Sequence, residues 1–207
     1  MATSSGFFNA EMRNGSYDRT YLAEDFAACM RGLVTNGVIA KSLLSSTSLK
    51  VTAGEAGTMN VKVAPGRAWI EGYWFENSSE VTLTLEPPDP VYSRFDGIML
   101  RLDYVTREIT FRVSTGYPTS TGSAHDIQQD DEAWEIELAS ITVDPTDQDI
   151  TDASIYDNRA SRYSCGLSKT AVNANNSLYP CTQEEYDYLQ EHGDIDPDIL
   201  YVIGNWE

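Results

Sequence analysis

Residues 59–85 read MNVKVAPGRAWIEGYWFENSSEVTLTL, and this stretch decides the fold class. Val61 and Val63 alternate with polar residues, and the same alternation returns at residues 81–85, after the break at Pro65-Gly66. Side chains of a strand point to opposite faces with a period of two, so the stretch predicts short strands with one buried face each. Its aromatic centre predicts the hub of a β-rich core.

The chain of 207 residues is long enough for one good core and a small appendage. It has no apolar run of about 18 residues, and its N-terminus lacks the basic start and apolar core of a secretory signal. We therefore expect a protein that is folded in a cytoplasm, with no membrane partner. Three cysteines at Cys29, Cys165 and Cys181 match no zinc pattern, which favours free thiols over a Cys165–Cys181 disulfide in a reducing compartment.

Negative charge is concentrated in the second half of the chain. Residues 1–120 carry 13 acidic and 11 basic side chains, whereas residues 121–207 carry 19 acidic and 3 basic ones. A nucleic-acid backbone would be repelled by this half, so we expect no nucleic-acid partner. The acidic half is interpreted as a solvated surface, with a basic partner or cations as the alternative.

The N-terminal region predicts an arm followed by one helix. Gly6-Phe7-Phe8-Asn9 is an aromatic arm that packs either on this helix or on a neighbouring subunit. A helix is predicted over residues 21–34, capped by Asp18 or Thr20. Its apolar stripe, interpreted as a core face, comprises Leu22, Phe26, Met30 and Leu33.

Two later segments give clear strand predictions. Residues 96–103 and 108–113 predict a hairpin that faces Ile98, Leu100 and Leu102 toward Ile109, Phe111 and Val113, with Arg101, Arg107 and Arg112 on the wet face. Residues 116–131, which contain His125, are predicted to be a polar loop. In the strand predicted over residues 133–143, apolar residues change parity, which indicates a bulge near Ser140 or burial on both faces.

The C-terminal part predicts a separate small unit. The composition of residues 167–180 is typical of a linker, and Thr182 with Glu185 forms a capping box before a short helix. A strand is predicted over residues 199–203. The fold prediction is thus mainly β: an antiparallel β-sandwich-like domain with one N-terminal α-helix (1–166), a linker (167–177) and a small C-terminal helix–strand unit (178–207).

Motifs that carry catalytic or metal chemistry are not found in the sequence. His125 and His192 lack partners at metal-ligand spacing, and no nucleophile, phosphate-loop or dinucleotide pattern occurs. We therefore expect no enzyme activity, cofactor or metal. Two aspartate clusters are weak calcium candidates, and solvated turn acids are the alternative: Asp144, Asp147 and Asp149, and Asp194, Asp196 and Asp198.

The aromatic residues of the opening stretch have a second interpretation. Trp69, Tyr73 and Trp74 could stack on sugars, although aromatic residues at alternating strand positions more often belong to a core. A carbohydrate-binding module is therefore the alternative function.

An ordered set of motifs resembles a known family. The matching segments are GFFN (6–9), the helix segment 18–26, GRAWIEGY (66–73), EN (76–77), VTLTL (81–85), RFDGIMLRLD (94–103), REI (107–109), EIELASITV (135–143), ITD (150–152) and CG (165–166). Together they resemble the N-terminal domain of tail baseplate and receptor-binding-type structural proteins of siphophages that infect Gram-positive bacteria. The segments 182–189 and 200–203 resemble a small module that is often appended to phage tail and fibre proteins.

This resemblance implies a structural virion protein of the tail tip or baseplate, assembled in the host cytoplasm. It implies a homo-oligomer, with a trimer favoured, that contacts other tail and baseplate proteins and supplies no catalytic residues. Since the sequence ends at Glu207 without a fibre or lectin-like head, we expect an assembly adaptor. Its interface residues are expected to be Phe7, Phe8, Leu22, Phe26 and Met30.

Overall fold

A computed structural model describes residues 8–40, 46–121, 123–168, 177–196 and 199–204. Most elements are short antiparallel strands, as expected for a mainly-β chain. The strands are β1 (Met12–Arg13), β2 (Ser16–Tyr17), β3 (Gly37–Val38), β4 (Val51–Ala53), β5 (Asn60–Val63), β6 (Gly66–Ile70), β7 (Tyr73–Asn77), β8 (Val81–Thr84), β9 (Arg94–Asp103), β10 (Glu108–Ser114), β11 (Ala133–Val143), β12 (Ile155–Asp157), β13 (Ser177–Cys181) and β14 (Ile199–Ile203). The helices are α1 (Ala23–Arg31), α2 (Gln183–Glu191) and a 3₁₀ turn at Asp152–Ser154.

The longest strands form a four-stranded antiparallel sheet in the order β10-β9-β11-β12. In its hairpin, Leu102 lies opposite Ile109 and Leu100 opposite Phe111, so the predicted pairing is confirmed. The register of β11 on β9 shifts between Glu137 and Ala139. This bulge lies slightly before the predicted position and returns the last apolar residues of β11 to the core face.

The opening stretch of the sequence supplies four of the six strands of two three-stranded sheets, β3-β6-β7 and β4-β5-β8. Between β6 and β7, Glu71 and Gly72 have φ angles of 48° and 79°, as required by a two-residue hairpin turn with both central residues in the left-handed region. The short strands predicted for this stretch are confirmed.

The sheets enclose one hydrophobic core. It joins buried side chains of the short sheets, such as Val61 and Ile70, to those of the long sheet, such as Leu100 and Ile141. Phe75 of β7 meets Phe111 of β10 edge to face, with ring centroids 5.3 Å apart. The aromatic stretch therefore contributes to the core, as predicted.

The N-terminal region departs from the prediction in three ways. Helix α1 is shorter than predicted, and Asp25 at its third position accepts a hydrogen bond from the amide of Leu22, which is the N-cap residue. Asp18 does not cap the helix, because its carboxylate accepts from the amide of Glu11. It closes a small hairpin, β1–β2, whose turn at Asn14-Gly15 the prediction missed.

The C-terminal unit consists of β13, α2 and β14, with the two strands parallel. Thr182 accepts from the amide of Glu185 at 3.2 Å, and Glu185 accepts from the amide of Thr182 at 2.8 Å, which confirms the capping box. Strand β13 replaces part of the stretch that was interpreted as a linker from its composition. The unit contacts the rest of the chain through an ion pair between Arg162 and Asp196, 3.2 Å apart, and through the rings of Tyr156 and His192.

Candidate functional site

Large apolar side chains are exposed on the arm before β1, on the β1–β2 hairpin and in the first turn of α1 with its N-cap, and we call this set the N-terminal surface. Its members and their exposed fractions are Phe8 (59%), Met12 (68%), Tyr17 (66%), Leu22 (67%) and Phe26 (54%). Isolated exposed apolar residues are ordinary, but a cluster on one part of a soluble chain is typical of an interaction site.

The arm that precedes the hairpin is held against the start of the helix. The hydroxyl of Tyr21 accepts a hydrogen bond from the amide of Phe8 at 3.0 Å and donates to its carbonyl oxygen at 3.2 Å. The guanidinium of Arg19 lies 5.6 Å from the centre of the Phe8 ring, within cation–π range. These contacts place the Phe8 ring beside the helix while leaving most of it open to solvent.

Helix α1 contacts the β body, the part of the protein that contains strands β3 to β12, at the turn between β6 and β7. Ala27, which is buried, lies against Gly72. The guanidinium of Arg31 donates to the carbonyl oxygen of Glu71 at 3.0 Å. Asn36 adds two hydrogen bonds to Glu71, both at 2.7 Å. The contact uses a small residue and backbone groups, and Leu22 and Phe26 stay more than half exposed.

A polar bridge on the same side of α1 strengthens this contact. The hydroxyl of Tyr73 donates to Glu24 at 2.6 Å, and burial, followed by this hydrogen bond and the charge of Glu24, raises the pKa of Tyr73 to about 12. Hydrogen bonds from Arg31 and Tyr73 lower the pKa of Glu24. At neutral pH the bridge therefore consists of a neutral phenol, a carboxylate and a guanidinium.

The interpretation of the stripe as a core face is wrong for this chain. Leu22 and Phe26 are more than half exposed, Leu33 is 42% exposed and Met30 is half-buried. The reason is geometric, because α1 turns Ala27 rather than the stripe toward the body. Phe7, the remaining predicted interface residue, lies outside the described residues.

The three aromatic residues considered for glycan stacking do not share a face. Trp69 and Trp74 are directly opposite each other in the β6–β7 pair, so they lie on the same outward side, where Trp74 is 66% exposed. Tyr73 lies on the other side, packed against the core, with its ring 6.4 Å from that of Tyr104. Beside the two tryptophans, Arg67 and Glu76 form an ion pair of 2.8 Å.

The aspartates of the proposed calcium loops are used by the fold. Asp149 accepts from the amide of Gly57 and Asp147 from that of Asp144, while Asp196 pairs with Arg162. Asp198 lies outside the described residues. Across the described ranges, no group of three or more His, Cys, Asp or Glu side chains could hold a metal ion.

Charged side chains predicted to face water are partly covered. Glu135 is fully buried on the outward side of β11, and the guanidinium groups of Arg101 and Arg112 contact its carboxylate at 2.9 and 2.5 Å. Arg101 is therefore a partner of a buried acid and does not lie on a wet face. The sequence signal that could have indicated this was the pair of acids, Glu135 and Glu137, at alternate positions of an apolar strand.

Neither helix in the described part of the chain is long and apolar enough to cross a membrane. Cys29, Cys165 and Cys181 form no disulfide bond.

Comparisons with known proteins give one similar structure. No protein-family model and no curated protein matches the chain. The crystal structure of the gene 22 product of the Bacillus subtilis SPP1 phage is similar at a TM-score of 0.33 and 22% identity, over 47% of this chain and 74% of that one. A likeness with a TM-score this low carries no argument about fold or function.

Proposed function

We propose that the chain is a structural, non-catalytic protein of a bacteriophage tail tip or baseplate. In this role it is an assembly adaptor that attaches tail fibres or receptor-binding parts and forms a homo-oligomer, with a trimer favoured. Two lines of evidence support the proposal: the ordered motifs over residues 6–166, and the N-terminal surface. The similar solved structure also comes from a phage, although its low TM-score adds no weight.

The observation that carries the proposal is the exposure of Leu22 at the start of an anchored helix, together with that of Met12 and Tyr17 on the preceding hairpin. Burying apolar surface contributes about 25 cal/mol per Å², so a helix stripe in water leaves this gain unused until a partner covers it. The contacts of Ala27 and Arg31 hold the stripe at a fixed position on the β body. A preorganised apolar surface of this kind is suited to assembly, because little conformational entropy is lost on docking.

The proposal is tested by isolating assembled tails from the phage that encodes this chain and measuring its copy number by quantitative mass spectrometry. An adaptor is expected to remain with tail particles in a fixed copy number that matches the rotational symmetry of the tail. The proposal is wrong if the chain is absent from intact tails. A stable monomer in light scattering, together with unchanged folding after deletion of residues 1–16, would also contradict it.

A second candidate, carbohydrate binding, is favoured by the outward pair of Trp69 and Trp74. An exposed indole beside an ion pair offers a stacking surface and hydrogen-bonding groups of the kind that sugars use. A cell-wall polysaccharide pull-down with Trp74→Ala tests it, and Tyr163→Ala is the matched control because Tyr163 is 73% exposed elsewhere. Binding by the parent that is lost only in Trp74→Ala supports this candidate, and absence of binding by the parent excludes it for the glycans used.

A further inference from the structure

Residues 115–121 and 123–131, here called the strap, follow β10 and cross the outward side of the four-stranded sheet. The carbonyl oxygen of Ser123 accepts from the amide of Phe95 at 3.3 Å, and that of Gln128 accepts from the amide of Glu135 at 2.9 Å. Two acids lie beneath the strap, and the side chains of Glu135 and Glu137 are 0% and 6% exposed. The strap contacts both carboxylates, through the amide of Gln128 at Glu135 and through His125 at Glu137.

His125 is a strap residue whose side chain packs on this side of the sheet. Its side chain is 4% exposed and lies directly over Gly97, where a Cβ atom would overlap the imidazole ring. Nε2 is 3.0 Å from Oε1 of Glu137, and Nδ1 is 3.2 Å from the carbonyl oxygen of Phe95. The absence of a side chain at position 97 is what allows the ring to reach both groups.

Both ring nitrogens of His125 therefore face oxygen acceptors. A neutral imidazole has one donor and one acceptor nitrogen, so with an ionised Glu137 it would set one lone pair against an oxygen. Both contacts become hydrogen bonds when His125 and Glu137 together hold one proton more than a neutral imidazole and an ionised carboxylate do. Glu137 also accepts from the hydroxyl of Ser140 at 2.7 Å, which fixes the position of its carboxylate.

The neighbouring buried charges are already balanced by other groups. Glu135 contacts Arg101 and Arg112, and Asp96 contacts Arg94 at 2.9 Å. Glu137 has its ion pair with His125. Loss of the proton would leave a buried carboxylate against a neutral ring, and a buried charge without a compensating partner is costly.

The electrostatic surroundings of His125 act in the same direction. Burial by itself would lower its pKa, but the hydrogen bond and charge of Glu137, followed by the Phe95 carbonyl and the charge of Asp96, raise the pKa above the ordinary value of 6.5. A histidine with a raised pKa in the closed state stabilises that state fully below the pKa of the open state. This stabilisation is lost as the pH rises through the closed-state pKa.

We propose that the strap is closed by one proton shared between His125 and Glu137, and that it opens at alkaline pH while the sheet beneath it stays folded. Opening would expose the outward side of β9 and β11, including Met99, which is fully buried in the closed form. The strap is therefore a local, pH-dependent conformational device.

Amide hydrogen exchange of the full chain, followed by mass spectrometry at about pH 6 and about pH 9, tests the proposal. After correction for intrinsic exchange rates, strap peptides are expected to exchange faster at the higher pH, because the proton that closes the strap is then lost. Peptides of the β9–β10 hairpin are expected to keep their protection. His125→Gln should exchange rapidly in the strap at both pH values, and His192→Gln, the control, should behave as the parent.

Three results would overturn the proposal: equal corrected strap exchange at both pH values, equal acceleration of strap and hairpin, or retained pH dependence in a folded His125→Gln protein. Because that variant could lose its fold, the parent protein provides an independent measurement. The ring protons of His125 are followed by NMR, with assignments taken from His192→Gln. They are expected to titrate above about pH 6.5, together with the chemical shifts of the strap amides. Titration at or below that value would contradict the proposal.

Discussion

Gly72 lies against the backbone of Ala27, so closely that a Cβ atom on Gly72 would overlap the Ala27 carbonyl oxygen. This contact joins α1 to the turn between β6 and β7. Gly72 also has a φ of 79°, in the left-handed region that favours glycine. One residue therefore satisfies both the turn and the docking of the helix.

Gly72→Ala is expected to destabilise the protein by both effects. Gly57→Ala is the matched control, because Gly57 has a similar φ of 76° but no atom within 4 Å of an added Cβ. Strain at φ alone costs about 1 kcal/mol, and the steric overlap should add about 1–3 kcal/mol at Gly72 only. Urea unfolding of both variants measures the difference, and equal free energies of unfolding would show that the Ala27 contact contributes nothing.

Leu22→Asp is expected to weaken self-association if the N-terminal surface is an interface between copies. A charge in an apolar interface should lower the association constant roughly 10–100-fold, as hot-spot substitutions do. Val91→Asp is the control, since Val91 is 65% exposed in the segment between β8 and β9 and is not a member of this surface. Sedimentation velocity over a range of concentrations compares them, and an equal loss of association in both variants would point to a nonspecific effect of charge.

The sequence predicted elements whose stabilising contacts are local. The β9–β10 hairpin follows from alternation, and the start of α2 follows from Thr182 and Glu185, which are three residues apart. Asn14-Gly15 is an equally local hairpin signal, although no strand was predicted on either side of it. For these elements the necessary information lies within a few neighbouring residues.

Predictions that depended on tertiary contacts were less successful. Helical periodicity identified the stripe of Leu22 and Phe26, but it does not specify which side of the helix meets the body, and Ala27 does so. Residues 116–131 were predicted to be a polar loop, whereas the side chain of His125 is buried against Glu137 of β11. Burial of this kind depends on Gly97, whose role appears only when the sheet and the loop are brought together.

Arg94→Met is expected to destabilise the protein strongly. The guanidinium of Arg94, 3% exposed, contacts the fully buried Asp96 at 2.9 Å and donates to two carbonyl oxygens of the proline-rich segment, at Glu86 and Pro87. Removing one partner of a buried pair costs about 3–5 kcal/mol, because the other charge stays buried. Arg67→Met, which breaks the exposed pair with Glu76, should change the free energy of unfolding by about 0.5 kcal/mol or less. Similar urea midpoints for both variants would contradict this prediction.

Cys165 is expected to resist thiol reagents while the protein is folded. Burial raises the pKa of its thiol to about 12, and the backbone hydrogen bond to Val38 and the charge of Arg159 only partly offset this effect. The nucleophile is the thiolate, whose fraction at about pH 8 would then be roughly one in ten thousand and would grow only as the pH approaches the raised pKa. Cys29, which is half-buried on α1, is the internal control. Alkylation at about pH 8, followed by peptide mass spectrometry, should modify Cys29 first and Cys165 only after unfolding in urea. Equal modification rates in the folded protein would show that the segment around Cys165 opens far more readily than its burial implies.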